Sequence, residues 1–154
     1  MDRIDKKILE ILQINCQISN FDLAEQVSLS PSACLRRCNM LEEKGYIKKQ
    51  VAILDPQQIG LSLTVLVLVG LNSHSAQIMS NFSDTIQSFH EVTQCYLITG
   101  QSADYLLKVM VPNLEAYQYF LLKKLTCIEG VSSVQSSFVL QTLCDTTALP
   151  LDYI

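Results

Sequence analysis

From Asp2 to about Gly45 the apolar positions recur every three or four residues. Ile4, Ile8, Ile11 and Leu12 line one stripe, widened by Leu9, and predict a first helix. The mostly polar stretch Asn15–Ser19 interrupts the pattern. Asn20 is then placed to cap a short second helix with Leu23, Ala24 and Val27 on its apolar face. Ser30 and Pro31 supply an N-cap and a first helical residue, and the third helix runs from there to about Lys44, before Gly45. Cys34, Leu35, Cys38 and Leu41 are read as its buried stripe. Two helices joined by a turn of about three residues, the second opening at a Ser-Pro cap, predict a helix-turn-helix.

After Tyr46 the period shortens to two. Ile47–Leu54 reads as a strand ending at Asp55-Pro56, and Gln57–Leu61 as a linker. Strands are then expected at 61–71, 92–99, 105–111 and 131–141, with helices at 75–89 and 114–127. Strand–helix–strand occurs twice, which is the ferredoxin-like βαββαβ order. The fold class is therefore α+β, with an N-terminal three-helix helix-turn-helix domain and a C-terminal ferredoxin-like domain. The expected segments are 1–46 for the helices, 47–60 for a linking strand and hinge, 61–141 for the sheet domain and 142–154 for a C-terminal tail.

The strands are apolar on both faces. Leu63, Val65, Val67 and Val69 alternate with Leu66 and Leu68, while Tyr105, Leu107, Val109 and Val111 alternate with Leu106 and Met110. In the second strand Cys95 and Leu97 alternate with Tyr96 and Ile98. Helices cover one face of such a sheet, so the other face needs a cover too. A second copy of the sheet supplies it in an isologous homodimer, and the N-terminal helices are the alternative.

Charge changes the picture only once it is divided. The chain of 154 residues carries a net −4, yet 8 of its 11 Lys and Arg lie in residues 1–60, where the net charge is zero. Local cations, not overall charge, neutralise phosphates. On the third helix Ser32, Ala33, Arg36 and Arg37 fall toward the outer, N-terminal half. Ser32 and Ala33 are small enough for close approach to DNA, Ser30 lies at the cap, and Arg36 and Arg37 can pair with phosphates or guanine. Lys44, Lys48 and Lys49 can hold flanking phosphates. Three such contacts per subunit make the affinity of a dimer fall as about the fifth power of salt concentration.

Other chemistries find little footing. Six cysteines and two histidines show no metal-ligand spacing, so no metal site and no cofactor is expected. Nor is there a nucleophile–base motif, paired histidines or a phosphate-cradling glycine loop, and no enzyme is expected. No apolar run of about 18 residues would span a membrane, and the charged start is unlike a signal peptide, so no membrane partner and a cytoplasmic location are expected. A thiol redox switch remains a further class, opposed by the apolar setting of Cys34 and Cys38.

Many spaced residues together resemble the Lrp/AsnC (feast/famine) transcription regulators. They are Asp2-x-x-Asp5-x-x-Ile8-Leu9-x-x-Leu12-Gln13, Leu23-Ala24-x-x-Val27-x-Leu29-Ser30, Cys34-Leu35-Arg36-Arg37, Leu41-Glu42-x-x-Gly45-Tyr46-Ile47 and Leu54-Asp55-Pro56. The pattern continues through Thr99-Gly100, Asp104-Tyr105-Leu106-Leu107, Val111-Pro112-x-Leu114-x-Ala116-Tyr117, Gly130-Val131 and Thr147-Ala148-Leu149-Pro150. The resemblance implies a winged type of helix-turn-helix, a linking strand, and a ferredoxin-like domain that binds effector and dimerises. It also implies double-stranded DNA as partner, dimers that can assemble into octamers, and an amino-acid effector. Carried over by position, Ser32, Ala33, Arg36 and Arg37 match the recognition surface.

The same resemblance places the effector between effector domains of neighbouring dimers, around the loop after the second strand, with Leu97, Thr99, Gly100, Gln101, Ser102 and Asp104 near it and Leu114, Ser136, Ser137 and Phe138 as candidate walls. Asp104 would accept the ammonium and the Gly100 loop would present N–H groups to the carboxylate. Asp104 as a loop cap is the alternative. The chain departs from the family at Cys16-Gln17, where Gly-Arg is usual, and at Leu143-Cys144, where Val-Lys is frequent. Its Gly100–Asp104 loop is one residue longer than the commonest spacing. The reading is a sequence-specific DNA-binding regulator responsive to an amino acid. The alternative is a ferredoxin-like amino-acid sensor and oligomerisation protein without DNA binding of its own.

Overall fold

A computed structural model describes residues 1–100 and 102–154. Its contacts divide the chain into two units, Met1–Ile53 with Leu143–Ile154, and Leu54–Thr142.

The first unit, the head, is built on three helices, α1 (Arg3–Leu12), α2 (Asn20–Gln26) and α3 (Pro31–Glu43). Each start has a local cause. Asp2 accepts from the N–H groups of Ile4 and Asp5, and Asp5 returns the bond to the Asp2 N–H, closing a capping box. Ser30 caps α3 through the Ala33 N–H with Pro31 in the first turn, as the sequence predicts. Gly45, at φ +75°, ends the segment.

The α2 start departs from expectation. Ser19, not Asn20, is the cap, accepting from the Asp22 N–H. The Asn20 amide is free to do something else and donates to the Pro31 carbonyl at 2.9 Å, tying α2 to the start of α3.

Ile8, Leu23, Ala24, Val27, Cys34 and Leu41 form the buried core of the head. Leu35, expected in that core, is 51% exposed. At about 100° per residue it stands roughly a quarter turn from Cys34. The expected strand 47–54 is not a strand among the described residues. Val51, Ile53 and Leu54 are exposed, and a strand exists only by pairing. The C-terminal tail belongs to this unit. The Gln13 amide donates to the Leu149 carbonyl at 3.1 Å and accepts the Leu149 N–H at 2.9 Å.

The second unit carries β1 (Leu63–Leu71), α4 (Ala76–Gln87), β2 (Val92–Leu97), β3 (Tyr105–Val111), α5 (Leu114–Lys123) and β4 (Val131–Phe138). A 3-10 turn at Leu125–Cys127 ends what the periodicity reads as one helix. The sheet order is β2-β3-β1-β4 with all neighbours antiparallel, the ferredoxin-like arrangement expected. Val65, Val67, Val69, Leu107, Val109 and Val111 point into a core closed by Phe82 and Ile86 of α4 and Tyr117 and Phe120 of α5.

The opposite face holds Leu66 and Leu68 of β1, Leu106 and Met110 of β3 and Tyr96 of β2. All are partly or largely exposed. Lys108 stands among them, directly opposite Leu66, where the sequence pattern is otherwise apolar.

Candidate DNA-reading helix and effector loop

The register of α3 decides which side chains can leave the head. Taking the buried Cys34 as reference, Arg36 lies on the opposite side of the helix, at about 200°. Arg36 is exposed and has no ion partner among the described residues. Ser30 and Ser32 are exposed beside it, with their hydroxyls 3.3 Å apart, and Ala33 is half-buried. This half of α3 is a small-residue helix start carrying one outward guanidinium. Lys44, Lys48 and Lys49 are exposed beyond the other end of α3.

Arg37 departs from the expectation that it faces DNA. It lies three residues after Cys34 and four before Leu41, so helical spacing turns it toward the core. Its Nη1 donates to Asp2 Oδ2 at 2.7 Å and to Asp5 Oδ1 at 2.6 Å. Asp5 is the one buried charged residue among those described, with 5% of its side chain exposed. A buried carboxylate without a partner is costly, so the guanidinium here fastens α3 to the start of α1. The Asp5 N–H and then Arg37 hold the Asp2 carboxyl below its usual range, and Asp2 and then Asp5 hold the proton on Arg37 more tightly. Sequence reasoning treated Asp2-x-x-Asp5 as a motif without assigning it this work. The signal was the capping-box spacing, together with a cation on the inward side of α3.

The thiols of α3 are quiet. Cys34 is fully buried, and burial, then Cys34, pushes the Cys38 thiol up to about 11. A thiol so far from ionisation is a poor nucleophile.

In the sheet domain the expected effector residues do not meet in one place. Leu97, Thr99, Gly100, Ser102 and Asp104 gather where β2 turns into β3, and Gly100 takes a left-handed φ of +87°. Gln101 lies outside the described residues. The loop is packed down at its far side. A Cβ on Gly70 would stand 2.5 Å from Ser133 Oγ and 3.5 Å from the Ser102 carbonyl oxygen, so the strand beneath the loop has no room for a side chain.

Leu114 opens α5 beyond the other end of β3, roughly 20 Å away by strand rise. Within one chain it is no wall of this loop. Ser136 and Phe138 pair with Val67 and Val65 and so share their helix-covered face, where both contact Tyr117. Ser137 pairs with Leu66 and lies on the open face. Alternation along β4 separates the three residues that sequence reasoning grouped.

Asp104 is the best-anchored group in the loop. Its N–H donates to the Val69 carbonyl at 2.9 Å and its carbonyl accepts from Ile98 at 2.8 Å. Carboxylate Oδ2 accepts the Leu71 N–H at 2.7 Å, and Oδ1 lies 2.6 Å from His74 Nε2. The Leu71 N–H and then His74 hold the carboxyl below its usual range. The sequence allowed Asp104 a loop-cap role on its own backbone; instead one of its two oxygens holds the N–H of Leu71 at the end of β1. Sequence reasoning missed His74, because its partner is thirty residues away.

Comparison with known proteins agrees with both units. Residues 1–48 match a winged helix-turn-helix DNA-binding model, and residues 64–149 match the Lrp/AsnC ligand binding domain. The chain is 38% identical over 152 residues to transcriptional regulator AzlB of Bacillus subtilis, covering 99% of this chain and 96% of that one. The transcriptional regulator NMB0573 of Neisseria meningitidis, solved as an L-Met complex, superposes with a TM-score of 0.95. It is 37% identical, with 99% of this chain and 98% of that one covered. An AsnC family regulator from Agrobacterium tumefaciens gives a TM-score of 0.95 at 41% identity, covering 100% of this chain and 99% of that one. With a DNA-binding head and a ligand-binding sheet domain both matched, this chain belongs to the Lrp/AsnC family of transcriptional regulators.

Proposed function

We propose that the head reads double-stranded DNA through Ser30, Ser32, Ala33 and Arg36 on α3, with Lys44, Lys48 and Lys49 on flanking phosphates. Arg37 acts from behind as a positioning residue. The single observation that carries this is the outward half of α3, where a small, capped helix start leaves one guanidinium unpaired while the next is engaged inside the head. Small residues let the helix end approach a groove, and an unpaired guanidinium can take a phosphate or the edge of guanine.

The regulator works as a homodimer or a higher even oligomer. Leu66, Leu68, Leu106, Met110 and Tyr96 form an open sheet face that a second copy would cover. Its effector is an amino acid held at the Thr99–Asp104 loop. The L-Met complex of the Neisseria relative supports that ligand class, and Asp104 offers a fixed anion for an ammonium. The effector would act by binding one assembly state more tightly than another, re-spacing the DNA-reading heads. The function asks for no cofactor and no enzymatic step.

Fluorescence anisotropy on a duplex from the chain's own promoter tests this reading, titrated with salt. The expected result is retention well above random duplex and an affinity that falls as about the fifth power of salt concentration. Equal binding to both duplexes, with or without amino acids, would overturn it in favour of a sensor without specific DNA binding.

A further inference from the structure

We propose that His74 occupies the one carboxylate oxygen of Asp104 that an incoming ammonium would use, and so sets effector affinity by competition. This rests on reading the Thr99–Asp104 loop as the effector site.

The geometry leaves one oxygen of the Asp104 carboxylate without a backbone bond. Its backbone is bonded on both sides, to Val69 of β1 and to Ile98 just after β2. Its Oδ2 is taken by the Leu71 N–H, part of the same strand and unable to move aside without opening the sheet end. Oδ1 accepts no backbone bond, and His74 Nε2 sits on it at 2.6 Å.

The two contacts differ in how easily they are given up. His74 lies in the connection between β1 and α4, directly before the α4 cap Ser75, and its side chain is 68% exposed. An exposed ring can swing into water at small cost, since exposed ion pairs contribute little. Asp104 itself is 21% exposed and stays where the strands hold it. The site is therefore a fixed anion under a removable donor. An effector ammonium that reaches Oδ1 has to displace the imidazole or share the oxygen with it.

The other titratable groups around the pair do not take this role. Tyr105 on β3 follows Asp104 and pairs with Leu97, Cys95 lies two residues earlier on β2, and burial holds both toward their neutral forms. Glu129 is the acid in the turn that bonds Asn72 beneath the His74 connection, and it makes no ion pair among the described residues. His74 is the side-chain partner of the Asp104 carboxylate on these elements.

Calorimetric titration of the full chain tests this. Wild type, His74→Ala, His74→Gln and Asp104→Asn are each titrated with the twenty amino acids, L-methionine first. His74→Ala is expected to bind about two- to fivefold more tightly than wild type. His74→Gln, which keeps a donor, is expected between them. Asp104→Asn is expected to lose binding. Binding that His74→Ala leaves unchanged or weakens would overturn the competition alone. Wild-type affinity in Asp104→Asn, or no heat from any amino acid with any of the proteins, would overturn the effector loop itself.

Discussion

The head and the sheet domain solve the problem of holding a functional surface in opposite ways. The sheet domain buries fourteen core side chains between its sheet and two helices, and its β2–β3 loop is anchored by backbone bonds and the Asp104 carboxylate. The head buries six, one of them an alanine and one a cysteine, and fastens its reading helix with a charge. A small three-helix unit has little apolar area to spend on rigidity. The Asp2–Asp5–Arg37 clamp, the Asn20–Pro31 bond and the Gln13–Leu149 pair supply from polar contacts what the sheet domain takes from its core. The lesson is that neighbouring residues of one type can differ entirely in work. Arg36 is exposed, whereas Arg37 is held by Asp2 and Asp5.

The sharpest way to break this comparison is to empty each core. Phe120→Ala is expected to destabilise the sheet domain by about 3–5 kcal/mol, and Leu41→Ala the head by about 2–5 kcal/mol. Denaturant melts followed by circular dichroism should show two transitions moved separately. A common shift of both by either substitution would mean that the two units do not hold their structure independently.

Removing the clamp comes next. Arg37→Ala leaves Asp5 buried without its cation and should lower the melting temperature of the head, with Arg37→Lys restoring part of the loss. An unchanged melt would show that the guanidinium is as dispensable as a solvated one.

A smaller effect follows from acid. The folded state holds Asp2 and Asp104 below the ordinary aspartate value of 3.8. Their contribution is present above that value and is lost as pH falls through the lower, folded one. Stability from these two groups should be level from neutral pH down to the ordinary carboxylate range and drop only below it. In Arg37→Ala the head's share of that acid limb should shrink. The smallest effect is chemical. With its thiol raised to about 11, Cys38 should react with iodoacetamide far more slowly at neutral pH than the exposed Cys16 or Cys144.

The sequence made the fold legible where the cause is local. The Ser30-Pro31 start, the Gly45 stop and the alternation along β1 and β3 lie within a few residues of what they determine. Asn20 was misread as a cap because Ser19, one residue earlier, satisfies the same donors and frees it. The strand at 47–54 was misread because alternation marks a capacity to pair, and pairing needs a neighbour. The candidate site was legible in its residue types and less so in its directions. Leu35 and Arg37 exchanged sides because the inward stripe was drawn by hydrophobicity, whereas helical angle puts Arg37 closer to Cys34 and Leu41. The Asp104–His74 contact joins residues thirty apart through sheet closure, which no local pattern encodes.

The central claim is that adjacent arginines divide reading from holding. It is tested most directly by measuring promoter-duplex anisotropy and thermal melting on the same preparations of Arg36→Ala and Arg37→Ala. Arg36→Ala is expected to weaken DNA binding by about 1–3 kcal/mol with an unchanged melt, whereas Arg37→Ala should lower the melt and lose DNA binding along with it. Full DNA affinity in Arg36→Ala, or an Arg37→Ala protein that melts like wild type while losing specific binding, would contradict the claim.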